Sequence, residues 1–261
     1  MNILHITTTF YPAWAYGGIA RVSYELCKEL ADRGHNVTVF TTDVYDRNNR
    51  VRHDDGHAIV DGINVCRFRN ISNLLAWKRI HMPPSSILAA KQRIEDFDVL
   101  HFHGFESVLH VSSHYYAKKY GIPYVLQAHG SLVNYSQRGN LTRLFDKVWG
   151  YRILKDATRL IALTSTEAEQ YKNIGIGDDK IDIVPNGINL SEFESLPKRG
   201  EFRKKYGLNN NQKVILYLGR IHKIKGLDLL AKAFAGIARH FDDAKLVIVG
   251  PDDGYLASLK R

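Results

Sequence analysis

Three groups of residues combine types and spacings that could do chemistry. Gly17 and Gly18 stand together at the head of a helical pattern in FYPAWAYGGIARVSYELCKEL, behind Tyr11, Trp14 and Tyr16. Glycine weakens a helix, by ~0.5–1 kcal/mol relative to alanine. Its missing side chain also lets the unsatisfied N–H groups of a helix N-terminus approach an anion such as phosphate. A tight strand-to-helix turn explains the pair equally well, and the G-x-G-x-x-G fingerprint of dinucleotide binding is absent. The second group, in LGRIHKIKGLD, is Arg220 and Lys225, which bracket a loop opening a helix near Gly226. A guanidinium fork and an ammonium beside a helix N-terminus make a diphosphate clamp, although the same pair could be ordinary solvated charge.

The third group is histidine-rich: His101 and His103 share one strand face, and Glu106, His110 and His114 follow at helical spacing. A His-x-His pair with a carboxylate and further histidines can describe a metal-dependent hydrolase. Against it, His101 falls inside the strand, whereas His110 and His114 recede down the helix from the strand tip. His103 and Glu106 read better as lining a cleft, and His101 as a core histidine.

The elements that must position these residues alternate along the chain. NILHITTTF is a strand-like apolar run, followed by a helix from about Gly18 to Arg33 with Ile19, Val22, Leu26 and Leu30 on one face and Gly34 as its stop. NVTVFTT is a second strand, and Asp61-Gly62 in HAIVDGINVCRF signals a hairpin. A helical stretch broken at Pro83-Pro84 leads to FDVLHFHG; PYVLQAHGS, ATRLIALTS, KIDIVPNG, KVILYLGR and AKLVIVGP are further strands with helices between most of them. Continuous apolar strands separated by helices imply a doubly wound α/β fold with a parallel sheet covered on both faces. Ligands of such folds bind beyond the carboxyl ends of the strands, where Thr8, His103, His129, Ser165, Asn186 and Arg220 fall. A polar stretch after Asn186 marks a boundary. Residues 1–190 are expected to form a complete domain of six or seven strands, 191–212 a linker with a connecting helix, and 213–261 only the opening β-α-β of a second Rossmann-like domain.

Composition narrows the partners. The 261 residues carry a formal net charge of +9, which favours anions: nucleotide phosphates or an acidic membrane surface. No nucleic-acid-binding motif appears, so nucleic acid is not an expected partner. No apolar run is long enough to span a bilayer. Two cysteines suggest no disulfide framework and a cytoplasmic setting. Leu74, Leu75, Trp77 and Ile80 mix with Lys78, Arg79 and His81, as in a segment lying on an anionic membrane. An ordinary surface helix packing Trp77 inward is the competing reading.

Taken in order, the GG turn, AHGS, ALTSTEAEQY, IVPNGINLSEF and LGRIHKIKGLDLL resemble the GT4 family of retaining glycosyltransferases, which have the GT-B fold. The resemblance runs the length of the chain, and the last two motifs are the most characteristic. It implies an N-terminal acceptor domain and a C-terminal donor domain facing across a cleft, with sugar transferred from a UDP- or GDP-linked nucleotide-sugar to a glycan or lipid-linked acceptor. Envelope polysaccharide or glycolipid synthesis at the inner face of the membrane would be the setting. Carried over by motif, Gly17, Gly18, Arg220 and Lys225 meet the donor diphosphate. His129 sits beside the donor sugar as the catalytic residue, and Tyr16, His103 and Glu106 line the acceptor cleft. Ser165, Asn186 and Gly187 lie at the interdomain crossing. No metal and no cofactor is implied, because the cations neutralise the leaving group.

The family's glutamate pair, farther along the C-terminal domain, does not occur before GPDDGYLASLKR. The chain therefore reads as a fragment of one about 100–150 residues longer, on ordinary domain sizes, or as a natural truncation. In the second case a non-catalytic glycan- or partner-binding protein is the alternative.

Overall fold

A computed structural model describes the chain except residues 53–55, 133–139 and 261. It divides into two compact units, Met1–Asn189 and Leu190–Arg261. In the first, β1 (Asn2–Thr7) leads into α1 (Gly18–Asp32) and β2 (Asn36–Thr42); β3 (His57–Val60) and β4 (Ile63–Phe68) form a hairpin. Two helices, α2 (Asn73–Trp77) and α3 (Ser86–Arg93), precede β5 (Val99–His103). Next come α4 (Val108–Tyr120), β6 (Tyr124–Gln127), α5 (Asn140–Phe145), α6 (Tyr151–Asp156), β7 (Arg159–Ala162), α7 (Ser165–Asn173) and β8 (Ile181–Ile183).

The eight strands form one sheet in the order β3-β4-β2-β1-β5-β6-β7-β8. All neighbours run parallel except β3 and β4. The hairpin turn puts Asp61 and Gly62 at positive φ (48° and 77°), the geometry a two-residue Asp-Gly loop adopts. The sheet has eight strands where six or seven were expected.

Strand alternation sends apolar side chains to both faces. Val37, Val39, Ile63 and Val65 pack with Cys27, Tyr24, Leu30 and Ala31 of α1. Leu4, Ile6, Phe40, Cys66, Phe68, Leu100 and Phe102 pack with Ala90 of α3 and with Leu109 and Ala117 of α4. A parallel sheet covered this way needs apolar side chains on both faces, which is why its strands read as continuous apolar runs. The innermost seam of α1 is Ala20, Ser23 and Cys27. Ile19, Val22 and Leu26, expected on that face, are only half-buried. The small seam residues let the helix lie close against β1, β2 and β4.

The second unit holds α8 (Glu201–Lys205), β9 (Lys213–Leu218), α9 (Leu227–Ala238), β10 (Ala244–Val249) and α10 (Leu256–Leu259). β9 and β10 are parallel and in register from Lys213↔Ala244 to Leu218↔Val249. Their tips nearly touch: a Cβ at Gly250, whose φ is +151°, would lie 1.9 Å from the Gly219 carbonyl oxygen. Leu216, Leu218, Leu229 and Phe241 are exposed around this pair of strands. Among the described residues, no helix is long and apolar enough to cross a membrane.

Candidate active site

From β1 the chain first proceeds outward through β2 to β4, then returns to place β5 on the other side of β1 and continues through β6, β7 and β8. The connections after β1 and β5 therefore leave in opposite directions, opening a crevice at the carboxyl end of the sheet where ligands of doubly wound folds bind. Gly17 and Gly18 follow β1, His103 ends β5 with Gly104 and Glu106 after it, and His129 follows β6. Ser165 begins α7 after β7, and Asn186 and Gly187 follow β8.

On the β1 side, Gly17 has φ 105° and ψ −156°, a conformation confined essentially to glycine, and α1 starts without any side-chain cap. Among the described residues, a Cβ built on Gly18 meets nothing within 4 Å. Gly18 begins a 15-residue helix whose macrodipole favours an anion at this end.

Tyr16 does not line open surface. It is 6% exposed and packs with Ala13, Val44 and Ala76 in a satellite core. Its ring stands edge-on to Trp77 at 5.2 Å. Burial, with the Asp46 carboxylate adding to it, pushes its phenol up to about 12. Trp77 therefore faces inward, while Leu74, Leu75, Ile80 and Met82 remain exposed.

His103, also expected in the acceptor cleft, is 2% exposed and stands behind His129. Its Nε2 lies 3.0 Å from His5 Nδ1 and its Nδ1 lies 3.1 Å from His129 Nε2. The parallel register of β1 with β5 puts Thr7 beside His103 and His5 beside His101, which brings these rings together. Burial holds all of them neutral: His5 is lowered to about 3 and His129 to about 4. His101 and His103 are lowered well below the ordinary range, first by burial and then by the neighbouring histidines. Each neutral ring carries one N–H, so the chain can be threaded only inward or outward. Inward threading would bury an N–H at His5 Nε2, which has no hydrogen-bond partner among the described residues. Outward threading leaves only a bare ring nitrogen there and is the cheaper arrangement. Nδ1 is then the proton-bearing nitrogen of His129. Glu106 is half-buried at the start of the next turn.

Two residues that sequence reasoning did not single out hold the His129 turn. Glu167 Oε1 accepts from the Gly130 N–H at 2.6 Å, and the Tyr171 hydroxyl accepts from the Ala128 N–H at 3.0 Å. The signal was present in the sequence: Thr164-Ser165-Thr166-Glu167 is a capping-box pattern. Nearby, Gln127 Nε2 donates to Asn186 Oδ1 at 3.2 Å, linking the tips of β6 and β8, while Ser165 and Gly187 are exposed.

The nitrogens of His5, His101 and His103 lie within 4.8 Å of one another, a possible metal-ligand set among the described residues. Zinc would need the three lone pairs, each in its ring plane, to converge at ~2.0–2.1 Å. His103 instead stacks on both others, with interplanar angles of 19°, and the His5 Nδ1–His103 Nε2 contact has hydrogen-bond length. The hydrogen bond between His5 Nδ1 and His103 Nε2 engages the lone pair that one of them would give a metal, and it belongs to a chain of hydrogen bonds that continues from His103 to His129.

A second depression of about 280 Å³ lies by the β3–β4 edge, lined by His57, Ile59, Cys66 and Arg93. Burial pushes the Cys66 thiol up, which disfavours the thiolate a nucleophile needs.

In the second unit, Arg220 Nη1 is 2.9 Å from Asp253 Oδ2. Lys225 is exposed at the end of a short turn, directly before Gly226 and the uncapped start of α9. The loop is pinned by the Tyr217 hydroxyl, which donates to the Arg220 carbonyl at 3.0 Å, and by Ile221 N–H to Pro251 O at 2.8 Å.

Residues 16–192 match the family model described as Glycosyltransferase Family 4, and residues 198–261 match that of Glycosyl transferases group 1. The chain is 27% identical over 268 residues to the uncharacterized glycosyltransferase MJ1607 of Methanocaldococcus jannaschii, covering 97% of this chain and 65% of that one. It is 29% identical over 260 residues to the D-inositol 3-phosphate glycosyltransferase of Pseudarthrobacter chlorophenolicus, covering 91% and 58% respectively. Among solved structures it resembles Anabaena Alr3699/HepE, crystallised in complex with UDP and glucose, with a TM-score of 0.70 and 16% identity over all of this chain and 65% of that one. The architecture is thus that of GT-B glycosyltransferases, and the chain spans 58–65% of the length of the curated relatives named here.

Proposed function

The chain belongs to glycosyltransferase family 4, and on that premise we propose that it serves transfer of a sugar from a nucleotide-sugar to a glycan or lipid-linked acceptor, with retention of configuration. The observation that carries this reading is the reversal of strand order between β1 and β5, the switch point at which doubly wound folds bind ligands. An uncapped helix N-terminus, with nothing among the described residues within 4 Å of a Cβ at Gly18, shares one strand-end edge with His129, a half-buried, neutral histidine. Such an edge suits a diphosphate whose negative charge grows as the glycosidic bond breaks, because preorganised N–H dipoles oppose that charge without reorganising. Gly17 and Gly18 of the first unit, and Arg220 and Lys225 of the second, are assigned to the donor diphosphate. His129, with Nδ1 as its proton-bearing nitrogen, orients the donor sugar. Glu106 is assigned to the acceptor side and Ser165, Asn186 and Gly187 to the rim of the cleft; residues 1–190 would be the acceptor domain, and 213–261 part of the donor domain. The nucleotide is read as UDP, as in the HepE complex, with GDP as the competitor.

The exposed Leu74, Leu75, Ile80 and Met82 beside Lys78 and Arg79 support peripheral contact with an anionic membrane, and hence a lipid-linked acceptor at the cytoplasmic face. Calorimetric titration of UDP, GDP and ADP into the chain tests the donor assignment. Saturable binding of UDP, weakened in Lys225→Ala, is expected. A folded sample that binds none of the three would refute donor binding by this chain.

A further inference from the structure

His129 sits at φ 53°, in the left-handed region that a side-chain-bearing residue adopts only when its surroundings over-determine it. The surroundings here are two side chains one turn apart on α7. In an ordinary capping box the glutamate reaches back to the N-cap N–H. Thr164 keeps its half of the motif, its Oγ1 accepting from the Glu167 N–H at 3.2 Å. Glu167 does something different with its carboxylate. Oε2 accepts from the Leu163 N–H at 2.6 Å, one residue before the cap, and Oε1 crosses to the Gly130 N–H at 2.6 Å. The Tyr171 hydroxyl donates to the Ile161 carbonyl at 3.3 Å and accepts from the Ala128 N–H at 3.0 Å. Both side chains are buried, at 4% and 0% exposure. The backbone N–H groups on either side of His129 are thus captured from one helix, while the His129 ring docks on His103.

We propose that Glu167 and Tyr171 are positioning residues that hold His129 in its left-handed turn with its ring seated on His103. The inference rests on the reading of His129 as the residue beside the donor sugar. A carboxylate withdrawn from water to accept two backbone N–H groups is stable only because both bonds are made. What it supplies is a fixed ring: a histidine already in place loses nothing to reorganisation when the donor arrives.

The test is nuclear magnetic resonance of the whole chain, following amide exchange at Ala128, Gly130 and Leu163 and the ring nitrogen shifts of His129. In Glu167→Gln the side-chain NH₂ replaces one accepting oxygen, so Gly130 or Leu163 should exchange roughly tenfold faster or more. Tyr171→Phe should do the same for Ala128 alone. In both, the His129 ring should pass from one fixed tautomer to an averaged signal, a change that a merely structural cap would not cause. Accelerated amides with unchanged His129 signals would overturn the proposal, as would amides that do not accelerate. Should Glu167→Gln fail to fold, Tyr171→Phe decides by the same signals. His129→Ala separates the underlying reading: unimpaired transfer and donor binding there would refute the role of His129 while leaving the positioning result standing.

Discussion

Acidification from pH 7 to 5 should cost this protein most of its stability, because its buried histidines cannot accept protons while folded. Burial holds His5 and His81 down to about 3 and His110 to about 4. In the unfolded chain each returns to ~6.5, so the unfolded state takes up protons first. The stability these groups contribute is complete above pH ~6.5 and falls as the pH drops from there toward the folded values. Each pH unit in that window costs ~1.4 kcal/mol per group, or about 2 kcal/mol per histidine at pH 5 and about 6 kcal/mol for the three. His101 and His103 push the same way. Total stabilities of single domains are roughly 5–15 kcal/mol, so the loss is comparable to the whole. Carboxylates held low, such as Asp46 and Asp156, act in a lower window and do not offset it. Urea denaturation followed by near-ultraviolet circular dichroism at a series of pH values measures this directly. The midpoint should fall steeply below pH ~6.5. A midpoint at pH 5 equal to that at pH 7 would refute the burial argument.

Gly18→Val should leave the denaturation midpoint nearly unchanged, since a Cβ there meets nothing among the described residues, yet abolish diphosphate binding measured by calorimetry. Gly17→Ala should instead lower stability by about 1–3 kcal/mol, because alanine is strained at φ 105°. Arg220→Ala and Lys225→Ala should both weaken nucleotide binding, but only the first should also destabilise, by about 1 kcal/mol, since it deprives Asp253 of its ion pair. Leu74→Asp combined with Ile80→Asp should reduce co-sedimentation with phosphatidylglycerol vesicles, and wild-type binding that is indifferent to salt would count against the charge contribution.

Some of the fold was legible because local chemistry leaves a periodic trace. Apolar runs flanked by helical patterns announced a parallel sheet, Asp61-Gly62 its hairpin, and Gly34 the stop of α1. The motif order carried the family. Other readings went astray where depth mattered. Tyr16, assigned to the cleft with the family motifs, and His103, a polar residue at a strand tip, are both buried, the one packed against Trp77 and the other behind His129. The buried face of α1 was assigned to its larger aliphatics, whereas close packing on the sheet selected Ala20, Ser23 and Cys27.

By itself the sequence determined which residue types stand at the strand ends, because a strand's end is a local property. It also determined that a bare pair of glycines heads the first helix. Only the tertiary structure decided how those ends work together. His5, His103 and His129 are separated by up to 124 positions, and no local pattern links them. They meet because parallel pairing brings β1, β5 and β6 side by side. The same lateral packing turned a capping glutamate on α7 into a support for the turn after β6. Register and strand order are long-range properties, and there the arrangement of the candidate site was settled.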